Sequence, residues 1–101
     1  MKIDEIAEPI ACRLLKCGQE NLFVKIGAPQ PFEDGDDFYC PYCIEAAGQT
    51  TCSYAAGMDS VQALQLAMKK IGAELRYLAE KRGSPISWVD DTPGDTGFPT
   101  S

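Results

Sequence analysis

The most regular pattern in the chain is a run of apolar residues spaced three and four apart, which begins after Asp59 and ends near Arg82. This spacing is the period of an α-helix with one apolar stripe. The stripe consists of Val61, Leu64, Met68, Ile71, Leu75 and Leu78. Asp59 is a good N-cap, Gln62 completes a variant capping box, and Gly83 supplies a left-handed stop. The pattern predicts a long amphipathic helix with its stripe buried.

Upstream of this helix the apolar residues alternate with a period of two, which is typical of half-buried strands. The alternating segments are residues 6–17, 22–26, 38–46 and 50–56. Turn residues separate them, and the longest break carries prolines and an acidic run. The order predicts an α+β fold in which a four-stranded antiparallel meander is covered on one face by one long C-terminal amphipathic helix. We expect a single domain over 1–89 and a flexible acidic tail containing Gly and Pro over 90–101.

The strand register can be predicted from the same alternation. Pairing Ile44 with Cys52 across a three-residue loop at 47–49 puts one set of residues on a common apolar face. That set is Cys40, Tyr42, Ile44, Cys52, Tyr54 and Ala56. Cys43 then lies with Glu45 on the other face. In this register Cys12 and Cys52 point inward, as free cysteines often do.

Length and charge limit the classes of function. A chain of 101 residues can bury one modest core. Its net charge of −6 argues against nucleic-acid binding, because no basic stripe is present to displace counterions from phosphates. The first residues lack the uninterrupted apolar stretch of a signal peptide, and no segment reaches transmembrane length. We therefore expect a cytoplasmic protein that does not bind membranes, with its five cysteines as thiols.

The run Cys-Pro-Tyr-Cys at 40–43 spells the dithiol of a thiol-disulfide oxidoreductase. Such a site needs its second cysteine in a helix, whereas the residues around Cys40 and Cys43 alternate as a strand, in which positions three apart point to opposite faces. The run is therefore predicted to be part of a strand, with Cys40 on its apolar face and Cys43 as an exposed thiol of undetermined use. Redox chemistry at this pair stays an alternative.

A small zinc-binding domain is a second alternative, because the five cysteines outnumber the four ligands of a structural zinc site. Such sites usually contain two close cysteine pairs or histidines, and this chain has one close pair and no histidine. We therefore predict neither a metal nor a cofactor. The lack of histidine also removes the usual catalytic base, so an enzyme is not the favoured interpretation.

Two features suggest binding of a protein partner. The acidic loop carries Asp34, Asp36 and Asp37, and Trp88 follows the predicted helix as a candidate contact. A sheet covered by one helix also leaves a face and edges available, so self-association as a homodimer is a reasonable expectation. These features favour a non-enzymatic protein-binding or regulatory module.

The run at 38–44 and the start of the predicted helix at 57–67 together resemble a family of small bacterial proteins of unknown function. The shared pattern is an aromatic-Cys-Pro-aromatic-x-Ile strand followed by a Gly-x-Asp-x-x-Gln-Ala-Leu helix start, and the similarity covers roughly residues 10–78. The position of Cys43 is often polar or basic in that family. The resemblance implies that the Cys-Pro pair belongs to a strand, and it implies no activity.

Overall fold

The computed structural model describes residues 1–89 and 92–99 of the chain. Within these residues it contains five strands and one long helix, in an order that matches the predicted α+β class. The elements are β1 (Ala11–Cys17), β2 (Glu20–Ile26), β3 (Gln30–Pro31), β4 (Phe38–Ala46), β5 (Gln49–Gly57) and α1 (Ser60–Arg82). None of the described helices is long and apolar enough to cross a membrane.

All strand pairs in the described sheet are antiparallel. β1 pairs with β2, β2 with β4, and β4 with β5, while the short β3 pairs with the start of β4. Because β5 pairs with the whole of β4, β3 must lie on the side of β4 that also carries β2. The structure therefore has a sheet of five strands where a meander of four was predicted. β2 and β3 lie on the same side of β4, and the residues between Ile26 and Gln30 interrupt the pairing there. Gly27 and Pro29 cause this break, because neither residue favours a regular ladder.

The turn between β4 and β5 is shorter than predicted, and this overturns the predicted register. It contains two residues, Ala47 and Gly48, both with positive φ, as a type I′ turn requires. Ile44 consequently pairs with Thr51, and Cys43 pairs with Cys52. A shift of one residue moves every side chain of a strand to the other face. The prediction that Cys52, Tyr54 and Ala56 share a face with Tyr42 is therefore wrong.

The observed pairing defines two faces of the sheet. The "helix face" carries the side chains that form one buried cluster with α1. Its members on the strands include Leu15, Leu22, Val24, Cys40, Tyr42, Ile44 and Ala55. The opposite side, here the "second face", carries Leu14, Phe23, Lys25, Cys43, Glu45, Cys52 and Tyr54. Cys12, predicted to point inward, is exposed on the second face.

The helix begins and ends as the sequence predicts. Asp59 caps its start by accepting a hydrogen bond from the Gln62 N–H at 2.8 Å, and Gly83 ends it with φ of 66°. The Gln62 side chain accepts from the N–H of Met58 at 2.6 Å, one residue before the position that a capping box uses.

The buried stripe of α1 contains smaller side chains than predicted. Ile71 and Leu75 are fully buried as expected, but Val61 is 60% exposed, and Ala63 and Ala67 take its place against the sheet. These small residues let the helix approach β5 closely, and a side chain at Gly57 would collide with the backbone of Ala63. Leu64, Met68 and Leu78 of the predicted stripe pack partly buried at the edges of the core.

The segment after α1 returns to the outer side of β1. Ser87 and Lys16 exchange two backbone hydrogen bonds of 2.8 and 2.9 Å, and Phe98 is buried in the main cluster. Thus residues 92–99, which the sequence assigns to a tail, lie against the domain. Residues 90, 91, 100 and 101 of that predicted tail lie outside the described residues, and its mobility stays a prediction.

Candidate functional site

The acidic loop lies between β3 and β4. The backbone N–H of Phe32 donates to the carbonyl of Asp37 at 2.9 Å and closes the loop. Asp34, Asp36 and Asp37 are all exposed at its tip. The loop thus presents its carboxylates to solvent at one end of the sheet.

Aromatic side chains form a wall beside this loop. The ring centroids of Phe32 and Tyr39 are 5.1 Å apart, and Tyr54 lies 6.1 Å from Tyr39 and 6.2 Å from Phe32. These distances are those of favourable aromatic pairs. β3 brings Phe32 to this position, and the observed register brings Tyr54 to the second face. The cluster was missed from the sequence because the predicted register places Tyr54 on the other face.

The loop and two residues of the aromatic wall, Phe32 and Tyr39, line an open cavity of about 590 Å³. Its lining comprises Met1, Pro31, Phe32, Glu33, Asp34, Gly35, Asp37 and Tyr39. Among residues 1–89 and 92–99, no ion pair involves a carboxylate of this loop. The site therefore combines uncompensated negative charge with an apolar, aromatic surface, and both attract cations with an apolar stem.

Cys40 and Pro41 form a structural unit within β4. The N–H of Gly27 donates to the carbonyl of Pro41 at 2.9 Å, but Pro41 has no N–H to return. The Cys40 thiol donates to the carbonyl oxygen of Gly27 instead, at 3.5 Å. This contact satisfies a buried acceptor that the proline leaves without its ladder partner. The predicted structural role of Cys40 thus has a specific geometry.

The Cys40 thiol is unsuited to redox catalysis. Its residue is fully buried on the helix face, and burial raises the pKa of the Cys40 thiol to about 11. Because the thiolate is the nucleophile in disulfide exchange, a thiol protonated at neutral pH reacts slowly.

Cys43 forms a disulfide with Cys52, with a Cα–Cα distance of 4.0 Å. The prediction that Cys43 is an exposed thiol is therefore wrong, because it is 1% exposed and oxidised. The expectation of five free thiols is wrong for the same reason, and Cys12, Cys17 and Cys40 remain free. The predicted divergence of Cys40 and Cys43 is correct, since they lie on opposite faces. The disulfide by itself shows no oxidoreductase activity.

The positions of the cysteines also bear on the alternative of a zinc-binding domain. Two of the five candidate ligands are joined to each other in the disulfide. In the part of the chain that the structure describes, no group of three or more His, Cys, Asp or Glu side chains is placed to hold a metal ion.

Trp88 lies apart from the acidic loop. It is half exposed, and the Arg13 guanidinium lies 3.9 Å from its ring centroid. Arg13 also donates to the carbonyl of Thr96 at 3.0 Å. This places Trp88 beside β1, which β2 separates from β4. The predicted binding residues therefore form two separate surfaces.

A family model described as a domain of unknown function (DUF6968) matches residues 11–100. The match covers all five strands, the helix and the segment that returns to β1. Its description agrees with the predicted resemblance to a family of unknown function. No curated protein and no solved structure matches the chain.

Proposed function

The chain belongs to the DUF6968 family of domains of unknown function, and we propose that it is a non-enzymatic protein-binding module. In this proposal the acidic-aromatic cavity between β3 and β4 takes a basic segment of a partner protein. The observation that carries the proposal is the position of Asp34 and Asp37 beside the rings of Phe32 and Tyr39.

The chemistry of the cavity supports a basic partner. A lysine or arginine side chain has a cationic end and an apolar stem, so it pairs with a carboxylate while its stem packs on a ring. The net charge of −6 would also speed the encounter with a basic protein. Asp36, exposed at the loop tip, adds to the same field. Trp88 is a separate predicted contact for the same or another partner.

Self-association and location are further parts of the proposal. A second copy is as acidic as the first, so a homodimer would use the exposed apolar side chains of Leu14 in β1 and Ile10 just before it, rather than the acidic loop. The cytoplasm stays the proposed location. A persistent disulfide is typical of oxidising compartments, so the redox state of Cys43 and Cys52 in cells tests this part directly.

The proposal is tested by calorimetric titration with a short peptide of alternating lysine and leucine. We expect the variant Asp34→Asn, Asp36→Asn, Asp37→Asn to bind about tenfold more weakly than the wild type, and high salt to weaken wild-type binding. Phe32→Ala should also weaken binding, because the lysine stems lose their apolar wall.

The matched control is the variant Glu5→Gln, Glu8→Gln, Glu80→Gln, which removes the same charge from exposed positions elsewhere. It should retain the wild-type affinity within about twofold. Equal losses in the two triple variants would show a response to net charge alone. That result, or a wild type that does not bind the peptide, contradicts the proposal.

A further inference from the structure

A groove separates α1 from the first half of β5 on the helix face. Gln49 and Thr51 point to this face but remain exposed, because the helix crosses the sheet without covering them. The groove deepens to a cavity of about 330 Å³, which is the lower end of the size range of small-molecule sites. It lies on the opposite face of the sheet from the aromatic cluster.

The floor of this groove is apolar and its rim is aromatic. Ile44 and Leu78 face each other across it, from β4 and from α1. Tyr77 stands on the rim and is 63% exposed, although an aromatic ring of this size usually buries more of its surface. An apolar body that enters the groove would cover these side chains.

The carboxylate of Glu74 lines the groove and is held by the side chain of Tyr42. The hydroxyl of Tyr42 donates to Oε1 of Glu74 at 2.8 Å, and Tyr42 is fully buried. Burial, together with this hydrogen bond, raises the pKa of Tyr42 well above its usual range, so the hydroxyl stays a donor. The contact holds one carboxylate oxygen of Glu74, and the residue is part of the lining of the groove.

The neighbouring cations have other partners. Lys70, one turn before Glu74, donates to Ser53 Oγ at 3.0 Å and to the carbonyl of Tyr54 at 2.9 Å. Arg82, at the far end of the groove, forms an ion pair with Glu20. Among the described residues, no ion pair includes Glu74.

We propose that the groove between α1 and β5 binds a small organic ammonium compound, with the ammonium group on Glu74 and an apolar body on Ile44, Leu78 and Tyr77. The carboxylate supplies a charge-assisted acceptor, and the exposed tyrosine ring supplies a further contact for the cation. Gln49 and Thr51 supply neutral polar groups along the β5 wall. An anion gains less here, because the charge of Arg82 is already compensated.

The test uses phenethylammonium as the probe, with phenethyl alcohol as a neutral analogue of similar size. Heteronuclear NMR of nitrogen-labelled protein locates binding through the backbone amides of Thr51, Tyr77 and Leu78. We expect phenethylammonium to move these amides and to bind about tenfold more tightly than the alcohol. Glu74→Gln should remove this preference, because the amide still accepts from Tyr42 but carries no charge.

Glu80→Gln is the matched control, since it removes the same charge from an exposed position on the same helix, and it should keep the preference. The helical circular dichroism of both variants verifies that they are folded. Repeating the titration with the triple acidic-loop variant separates this site from the cavity between β3 and β4. Equal affinity for the ammonium and the alcohol, or amide shifts confined to the acidic loop, would overturn the proposal.

Discussion

The helix face and the second face of the sheet differ most clearly at β4, which presents a cysteine to each. Cys40 lies under α1 as a buried thiol, hydrogen-bonded to the Gly27 carbonyl. Cys43, three residues later, is oxidised and joined to β5 through Cys52. The two residues share a motif but have different neighbours. The difference shows that the face on which a strand cysteine lies, rather than the spelling of the motif, determines its chemistry.

The two faces are also stabilised differently. The helix face is covered by α1 and buries aliphatic side chains almost completely. The second face carries an exposed Leu14 and an ion pair of 2.8 Å between Lys25 and Glu45. The N-terminal segment lies across part of this face: the carbonyl oxygen of Asp4 is 3.5 Å from the sulfur of Cys52, and Met1 lines the cavity beside the acidic loop. Hydrophobic burial therefore dominates the stabilisation of the helix face, and the Cys43–Cys52 disulfide contributes to the stabilisation of the second face.

The largest effect is expected from truncating neighbouring leucines on the two faces. Leu15→Ala should lower the free energy of unfolding by about 3 to 5 kcal/mol, because Leu15 is fully buried and its loss leaves a cavity. Leu14→Ala should cost less than about 0.5 kcal/mol, because this side chain is 53% exposed. Urea denaturation of both variants measures the difference. Similar losses in the two variants would contradict the assignment of the faces.

The next effect concerns the covalent link on the second face. Reduction of the Cys43–Cys52 disulfide should lower the free energy of unfolding by about 3 kcal/mol, because the cross-link constrains the unfolded chain. The separation of nine residues is short, so the effect is smaller than a long loop would give. Thermal melts with and without a reductant measure this loss. The double variant Cys43→Ala, Cys52→Ala should be insensitive to the reductant, whereas Cys40→Ala should remain sensitive. A wild type that melts at the same temperature under both conditions would contradict the prediction.

The smallest effect comes from the thiol on the helix face. Burial raises the pKa of Cys40 from 9.0 to about 11, so the folded chain holds this proton more tightly than the unfolded chain. The resulting stability is complete below pH 9 and is lost as the pH rises toward 11, by about 2 kcal/mol. Urea denaturation across this range should show the loss.

Two variants isolate this contribution. Cys40→Ala should have a shallower pH profile than the wild type, and the remaining slope belongs to other groups such as Tyr42, whose pKa is also raised by burial. Cys12→Ala, which removes an exposed thiol from the second face, is the matched cysteine-to-alanine control. If Cys40→Ala keeps the full wild-type slope, the Cys40 thiol does not cause the loss of stability at high pH and the prediction is wrong.

The helix could be predicted from the sequence because its signals are local. Asp59 and Gly83 are a cap and a stop whose preferences depend on a few neighbouring backbone groups. The face that α1 buries was less predictable. Val61 is the more hydrophobic side chain but is 60% exposed, whereas Ala63 is fully buried where the helix backbone lies against Gly57. Packing of the helix against the sheet therefore buries Ala63 rather than Val61.

The register of β5 could not be predicted from propensity alone. A turn of two residues needs positive φ at both positions, and Ala47 is an uncommon residue for that conformation. One signal was available: the midpoint between Cys43 and Cys52 falls between Ala47 and Gly48, so a two-residue turn there places the cysteines opposite each other. The disulfide and the aromatic cluster with Tyr54 both depend on this turn.

The candidate cavity was predictable in its charge but not in its shape. The acidic residues of the loop are evident in the sequence, and their exposure follows from their charge. The position of Phe32 beside Tyr39 depends on β3, a strand of two residues that is too short to produce a periodic pattern. The carboxylates are therefore evident from the sequence, whereas their aromatic wall is not.

The contact of Lys70 with β5 has a consequence for assembly. The pairing of Pro41 with Tyr54 leaves the Tyr54 carbonyl on the outer edge of β5, where it would accept a hydrogen bond from an added strand. The Lys70 ammonium already occupies that acceptor and places a charge where an incoming backbone would pass, which is how natural sheets resist edge-to-edge growth. Because this lysine belongs to α1, the protection lasts only while the helix is docked. We therefore expect fibril formation by this chain to be limited by detachment of α1.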